Sequence, residues 1–193
     1  MYRHTTRTHL AKYAEKTALR LIKLGFDWLT AYAEKEKRIG EKFMKIAVAC
    51  DHGGLNLKKA LIAYLEKNGH EVADFGTNTF DSCDYPDFAV QAAEAVAFGD
   101  CDRGIVVCSS GIGVSIVANK VPGIRCAHCH DIYCAKYTRY HNDANMIAFG
   151  EKVVGVGMME EIVNAFLTCE YEGGERHDRR IAKIKAIEEK YNK

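Results

Sequence analysis

The stretch that most limits what this chain can fold into is Gly104-Ile-Val-Val-Cys108-Ser-Ser-Gly111-Ile-Gly113-Val-Ser. Ile105 to Val107 is a short, β-branched apolar run closed by a glycine-containing turn, the signature of a strand buried on both faces in a parallel sheet. Cys108 stands at the carboxyl end of that strand. Ser109 to Gly113 are small enough for backbone N–H groups to approach a ligand, and Val114 to Lys120 reads as a helix. A thiol therefore sits beside a helix start, where unpaired N–H groups favour negative charge. On these residues alone two readings stay open: a thiolate acting as base or nucleophile beside an anion-holding loop, and a small buried cysteine before an ordinary strand-to-helix turn.

The rest of the chain repeats the pattern. Lys45 to Cys50 is a first strand, followed by Asp51-His-Gly-Gly54 and a helix from Leu55 to Asn68 with Leu57, Leu61, Ile62 and Leu65 inward. Glu71 to Phe75 is a second, shorter strand, Gly76 to Tyr85 a polar loop, and Pro86 opens a helix through Phe98. Beyond the organising strand, Ile124 to Cys129 is a fourth strand. Asp131 caps a helix to about Tyr140, Met146 to Phe149 is a fifth strand, and Met158 to Leu167 and Arg176 to Tyr191 are helices. Five strands alternating with helices predict an α/β fold, a parallel sheet covered on both faces with right-handed crossovers.

Residues 1–43 stand apart. Leu10, Tyr13, Ala14, Ala18, Leu21, Leu24, Trp28, Leu29 and Tyr32 form a one-sided stripe, so this segment is expected to be an amphipathic helical extension ahead of a domain spanning 44–193. It holds ten Lys/Arg against five Asp/Glu, and the remainder is mildly acidic. A helix packed on the body or on another subunit fits the stripe. A targeting arm fits Arg3, Arg7, Lys12 and the early threonines, against Glu15, Asp27, Glu34 and Glu36. With a net charge of +1, nothing points to nucleic acid or to a membrane surface. Eight cysteines lying mostly in apolar runs, with no secretory segment and no apolar run near twenty residues, suggest reduced thiols in a cytoplasmic protein.

Two motifs invite three readings that the sequence does not sustain. Cys126-Ala-His-Cys129-His130 matches a haem-attachment string. It also invites zinc, but in a strand Cys126 and His128 face one way and Cys129 the other. Gly111-x-Gly113 lacks the third glycine of a dinucleotide fingerprint. None of these strings therefore argues for haem, zinc or a nicotinamide cofactor. His141-Asn142 suits proton transfer with oxyanion binding, or merely a histidine at a helix end. Arg176 and Arg180 share a helical face and fit a phosphate, or a solvated surface.

Asp51 and His52 occupy the position where open α/β sheets carry ligand groups, although Asp51 could equally cap the following helix. Read together, Cys50-Asp-His-Gly-Gly54, Asp84-Tyr-Pro86, Cys108-Ser-Ser-Gly-Ile-Gly113-Val-Ser-Ile, Ala118-Asn-Lys120, Gly123-Ile-Arg125, His141-Asn-Asp143, Asn145, Ala148-Phe-Gly150 and Glu172-Gly-Gly174 with Arg176-His177 resemble the type B ribose-5-phosphate isomerases. That family also contains galactose-6-phosphate and allose-6-phosphate isomerases.

The resemblance covers Met44 to about Tyr191. It implies a Rossmann-like three-layer sandwich and, within carbohydrate metabolism, aldose–ketose interconversion of a sugar phosphate through an enediolate, without metal or cofactor. By position, Cys108 would be the base and His141 would assist ring opening. Ser109, Ser110, Gly111, Ile112 and Gly113, with Asn142, would bind the oxyanion. Asp51 and His52 would hold hydroxyls, and Arg176, His177, Arg180 and Lys152 the phosphate.

Three residues depart from the family pattern: Ser109 stands where glycine is common, Lys152 where arginine is common, and Glu175 is an insertion. The expected substrate is ribose 5-phosphate, with a hexose 6-phosphate, or a non-catalytic subunit needing a partner chain, as alternatives. His141 follows a helix that has travelled back from the edge carrying Cys108. A homodimer, or a tetramer of such dimers, with the site shared between subunits is therefore expected.

Overall fold

A computed structural model of the chain describes residues 43–191; the helix and domain boundary expected over residues 1–43 lie outside them, apart from Phe43. Five strands form one parallel sheet in the order β2-β1-β3-β5-β4: β1 Lys45–Cys50, β2 Glu71–Asp74, β3 Arg103–Cys108, β4 Cys126–His128 and β5 Met146–Gly150. Alternation along the strands divides the core in two. Ile46, Val48, Ile105, Val107, Ile147 and Phe149 face Leu61 and Leu65 of α1 (Leu55–Lys67), Ala135 of α4 (Ile132–Asn142), and Met159, Ile162 and Phe166 of α5 (Val156–Thr168). Ala47, Ala49, Val106, Cys108, Met146 and Ala148 face α2 (Tyr85–Ala97) and α3 (Ile112–Ala118). On that side α2 presents Ala89, Ala92 and Ala93, whose short side chains let the helix lie close to the sheet. This is the three-layer α/β sandwich expected from the strand–helix alternation. The last helix, α6 (Glu175–Tyr191), buries only His177.

Two boundaries differ from expectation for local reasons. β4 is three residues long rather than six because side-chain amides replace ladder bonds around it. Arg125 N–H donates to Asn145 Oδ1 at 2.8 Å, and Asn119 brackets Cys126, accepting from its N–H at 2.9 Å and donating to its carbonyl at 2.8 Å. This also occupies polar groups on an edge strand that would otherwise be open to pairing. α4 runs past Tyr140 to Asn142, placing His141 and Asn142 in its last turn. It stops at Asp143, which adopts the left-handed region at φ 45. That conformation is held by Arg139, whose guanidinium lies 2.6 Å from the Asp143 carboxylate, and by Arg125 at 3.1 Å.

The chain leaves β1 toward β2 on one side and β3 toward β4 and β5 on the other. The loops after β1 and β3 therefore diverge and open a crevice at the carboxyl ends of the strands. Gly54 must be glycine there, since a Cβ would fall 2.8 Å from the backbone of Val107. It can offer α1 no side-chain cap. Glu151, just after β5, supplies one instead: its carboxylate accepts from Leu57 N–H at 2.9 Å and from Asn56 Nδ2 at 3.0 Å. Glu151→Ala is expected to cost about 1 kcal/mol of stability through the lost cap, measured as a shift in the denaturant midpoint at unchanged slope.

Candidate active site

Cys108 closes β3 with 6% of its surface exposed, and its Sγ accepts the Gly111 N–H at 3.0 Å. A donor aimed at sulfur stabilises charge on it. Gly111 is required twice over: its φ is +81, and a Cβ would fall 2.6 Å from the Phe149 carbonyl carbon and 2.7 Å from His128 Nε2. α3 starts at Ile112, two residues earlier than expected, so the turn between strand and helix is tight.

Across the crevice, buried Asp51 accepts Gly53 N–H at 2.9 Å. Its capping role is therefore real, but it serves a short 3₁₀ turn, His52–Gly54, rather than α1. His52 Nδ1 accepts the Cys83 N–H at 3.2 Å, which leaves the ring proton on Nε2 as a donor. A Cβ on Gly53 would collide with Ser109 Oγ, so the loops after β1 and β3 touch at these two residues. Lys152 joins this edge, its N–H donating to the Ser109 carbonyl at 3.1 Å.

Sequence reasoning missed the supports of this edge. Lys58 is 1% exposed, and its ammonium meets both oxygens of Asp74 at 2.7 and 3.0 Å, the Thr77 carbonyl at 2.8 Å and Asn78 Oδ1 at 3.1 Å. It thereby ties α1 to the loop that carries Cys83. Tyr85 lies over Gly113, where a Cβ would come within 2.8 Å of its ring. The only sequence signal for Tyr85 was its place in Asp84-Tyr-Pro86.

A second group forms at the opposite edge. The His141 ring stacks on His177 with centroids 4.8 Å apart and planes 7° apart. His177 is buried, its Nε2 lying 3.2 Å from Glu172 and 2.9 Å from the Arg176 guanidinium, so it supports His141 and Arg176 from beneath. Glu172 also bonds the Tyr140 hydroxyl and pushes that phenol above its ordinary range. Arg176 and Arg180 are exposed on α6, and Asn142 ends α4 beside His141.

The two groups do not meet within one chain. The carbonyls of Asn142 and Asp143 accept from Arg125, the residue before β4, which places them at the amino edge of the sheet. Cys108 stands at the other end of β3, four residues beyond Gly104, or about 13 Å along a strand. Asp51, His52, Ser109 to Gly113 and Lys152 therefore lie with Cys108, while Asn142, Arg176 and His177 lie with His141, and Arg180 is exposed one turn further along α6.

The Cys-x-x-Cys-His string behaves as its spacing predicts. Cys126 packs toward α2 and α3 and Cys129 toward the other face. Burial pushes the Cys129 thiol up to about 12 and the Cys126 thiol up as well. All eight cysteines are free. Among the described residues no helix is long and apolar enough to cross a membrane.

Residues 46–184 match the Ribose/Galactose Isomerase family. The chain belongs to that family. Ribose-5-phosphate isomerase B of Escherichia coli is 48% identical over 148 residues, covering 77% of this chain and 99% of its own length. The galactose-6-phosphate isomerase subunit LacB of Clostridium acetobutylicum is 41% identical over 129 residues, 67% of this chain and 75% of that one. Among solved structures, ribose-5-phosphate isomerase B of Clostridium thermocellum is 54% identical, with a TM-score of 0.75 over 77% of this chain and 99% of its own. The five-stranded sheet and the crevice at its switch point are thus features of a ribose/galactose isomerase family fold, and residues 1–45 precede the matched region.

Proposed function

We propose that this chain interconverts ribose 5-phosphate and ribulose 5-phosphate, with Cys108 as the base. The observation that carries the reading is the Cys108 thiol held under the Gly111 N–H, in a crevice also bounded by Asp51 and His52. The Cys108 thiolate takes the proton from C2 of the open-chain aldose and returns it to C1. The hydroxyl proton moves between O2 and O1, and negative charge on the enediolate is held by N–H groups of Ser109 to Gly113 and by Asn142. Such preorganised donors account for a large part of the acceleration of reactions of this kind. Asp51 and the Nε2–H of His52 orient sugar hydroxyls, His141 assists ring opening, and Arg176, Arg180 and Lys152 hold the phosphate.

A ribose phosphate is much shorter than the span between the two edges of one sheet. The complete site therefore joins the Cys108 edge of one subunit to the His141 edge of a second copy, in a homodimer or a tetramer built from such dimers. Eight free thiols fit a cytoplasmic setting.

Near full-length similarity to a ribose-5-phosphate isomerase B supports the pentose, and similarity to a galactose-6-phosphate isomerase subunit supports a hexose phosphate as the second reading. Turnover of purified protein on ribose 5-phosphate, allose 6-phosphate and galactose 6-phosphate tests this. Ribose 5-phosphate is expected to have the highest kcat/KM. Preference for a hexose phosphate would move the substrate and keep the chemistry; no turnover on any of them would favour a subunit that needs a partner chain.

A further inference from the structure

We infer that His128 and His130, with the backbone carbonyl of Ser110, form a binding site for a divalent transition-metal ion of the nickel or copper class. Two electron-rich atoms flank His128 Nε2 there: it lies 2.8 Å from His130 Nε2 and 2.8 Å from the Ser110 oxygen. Two neutral imidazoles have at most one hydrogen to place between these atoms, because the nitrogen that donates to one neighbour cannot accept from the other. A cation would satisfy all three at once.

The spacing selects the geometry. Metal–nitrogen bonds of about 2.0–2.1 Å put tetrahedral donors about 3.3 Å apart, but donors at right angles about 2.9 Å apart. The observed 2.8 Å matches the right-angled case, which is the preference of square-planar and tetragonal copper and nickel sites. The ring centroids are 4.1 Å apart with planes at 82°. Lone pairs pointing head-on across 2.8 Å would hold the centroids near 5 Å; the shorter value means that at least one ring is turned off that line, which leaves its lone pair free of a direct hydrogen bond to the other. His130 is exposed and leaves a path for entry, and the Asp131 carboxylate beside it adds negative charge. Cys126 and Cys129 contribute nothing, since each thiol is buried on its own face of the sheet.

The other histidine cluster behaves differently. His141, Glu172 and His177 offer ligand atoms within 4.8 Å of one another. Their imidazoles, however, are stacked 7° from parallel, so their lone pairs lie in separate planes, and the Arg176 guanidinium already sits 2.9 Å from His177 Nε2. A cluster that includes Arg176 suits an anion.

Ser110 belongs to the loop assigned above to the oxyanion, so metal binding is expected to slow turnover; this second effect rests on that assignment, whereas binding does not. Ni²⁺ titrated calorimetrically into the full chain tests the site. One ion per chain is expected, with affinity falling about tenfold or more in His130→Ala, since a lost ligand costs at least as much as a lost supporting contact. His141→Ala and Cys134→Ser should bind as the wild type does. Metal-free His130→Ala should turn over normally and resist inhibition by Ni²⁺. Equal affinity of His130→Ala and wild type, or the absence of binding by wild type, would overturn the proposal. Failure of the isomerase assignment would show instead as metal-free protein that binds Ni²⁺ and converts no sugar phosphate.

Discussion

Cys108→Ala is expected to lower turnover on ribose 5-phosphate by about 10²–10⁴-fold, the usual contribution of a positioned base. The sulfur is the only group of that side chain that can take a proton, and the Gly111 N–H at 3.0 Å is aimed at it. The fold should survive, because the residue is small and belongs to the half of the core that holds many alanines, among them Ala49 and Ala148. A second variant separates base strength from shape. Cys108→Ser keeps an acceptor under Gly111 but replaces a thiol by a far weaker acid, so its loss should be similar in size. Exchange of the C2 proton with deuterated solvent should fall in parallel, and an unfolding midpoint near that of wild type would show that chemistry was lost and not structure. Full exchange in Cys108→Ala would place the base elsewhere in the crevice.

How far the sequence revealed this arrangement depended on whether local pattern or distant contact decided each element. β1 and β3 were legible because both faces of each are buried, which leaves Ile46 to Ala49 and Ile105 to Val107 no polar option. β4 was read too long because its ends are set by Asn119 and Asn145, whose partners are known only once the strands are in place. The end of α4 was missed because the conformation of Asp143 depends on Arg125 and Arg139. Cys108 and Asp51 could be placed at the crevice from strand ends alone. The tautomer of His52 could not, since it is fixed by a main-chain N–H 31 residues away. Period-two alternation separated Cys126 from Cys129 correctly. The same alternation puts His128 and His130 on one side, but the third donor, Ser110, comes 18 residues earlier and reaches them only through the sheet order.

Co-expression of Cys108→Ala with His141→Ala is expected to restore about a quarter of wild-type turnover, although each variant alone is nearly inactive. The argument follows from the two edges of the sheet. Each site of the proposed dimer takes Cys108 from one subunit and His141 from the other, so a heterodimer of the two variants has one site carrying both substitutions and one carrying neither. Random pairing makes about half of the dimers heterodimers, and half of their sites are intact, which gives about one quarter under two-fold symmetry. A tetramer composed of such dimers gives the same fraction. If a single chain supplied both groups, every site would carry one substitution and the mixture would never exceed the better variant. The fold makes that alternative costly: bringing His141 to Cys108 within one chain would require α4 to leave α5, and would break the Arg139 and Arg125 bonds that end it at Asp143. Recovery near one quarter in the unfractionated mixture, rising to about one half in affinity-purified heterodimers carrying two different tags, would locate the shared site, and recovery no greater than that of the single variants would remove the case for it.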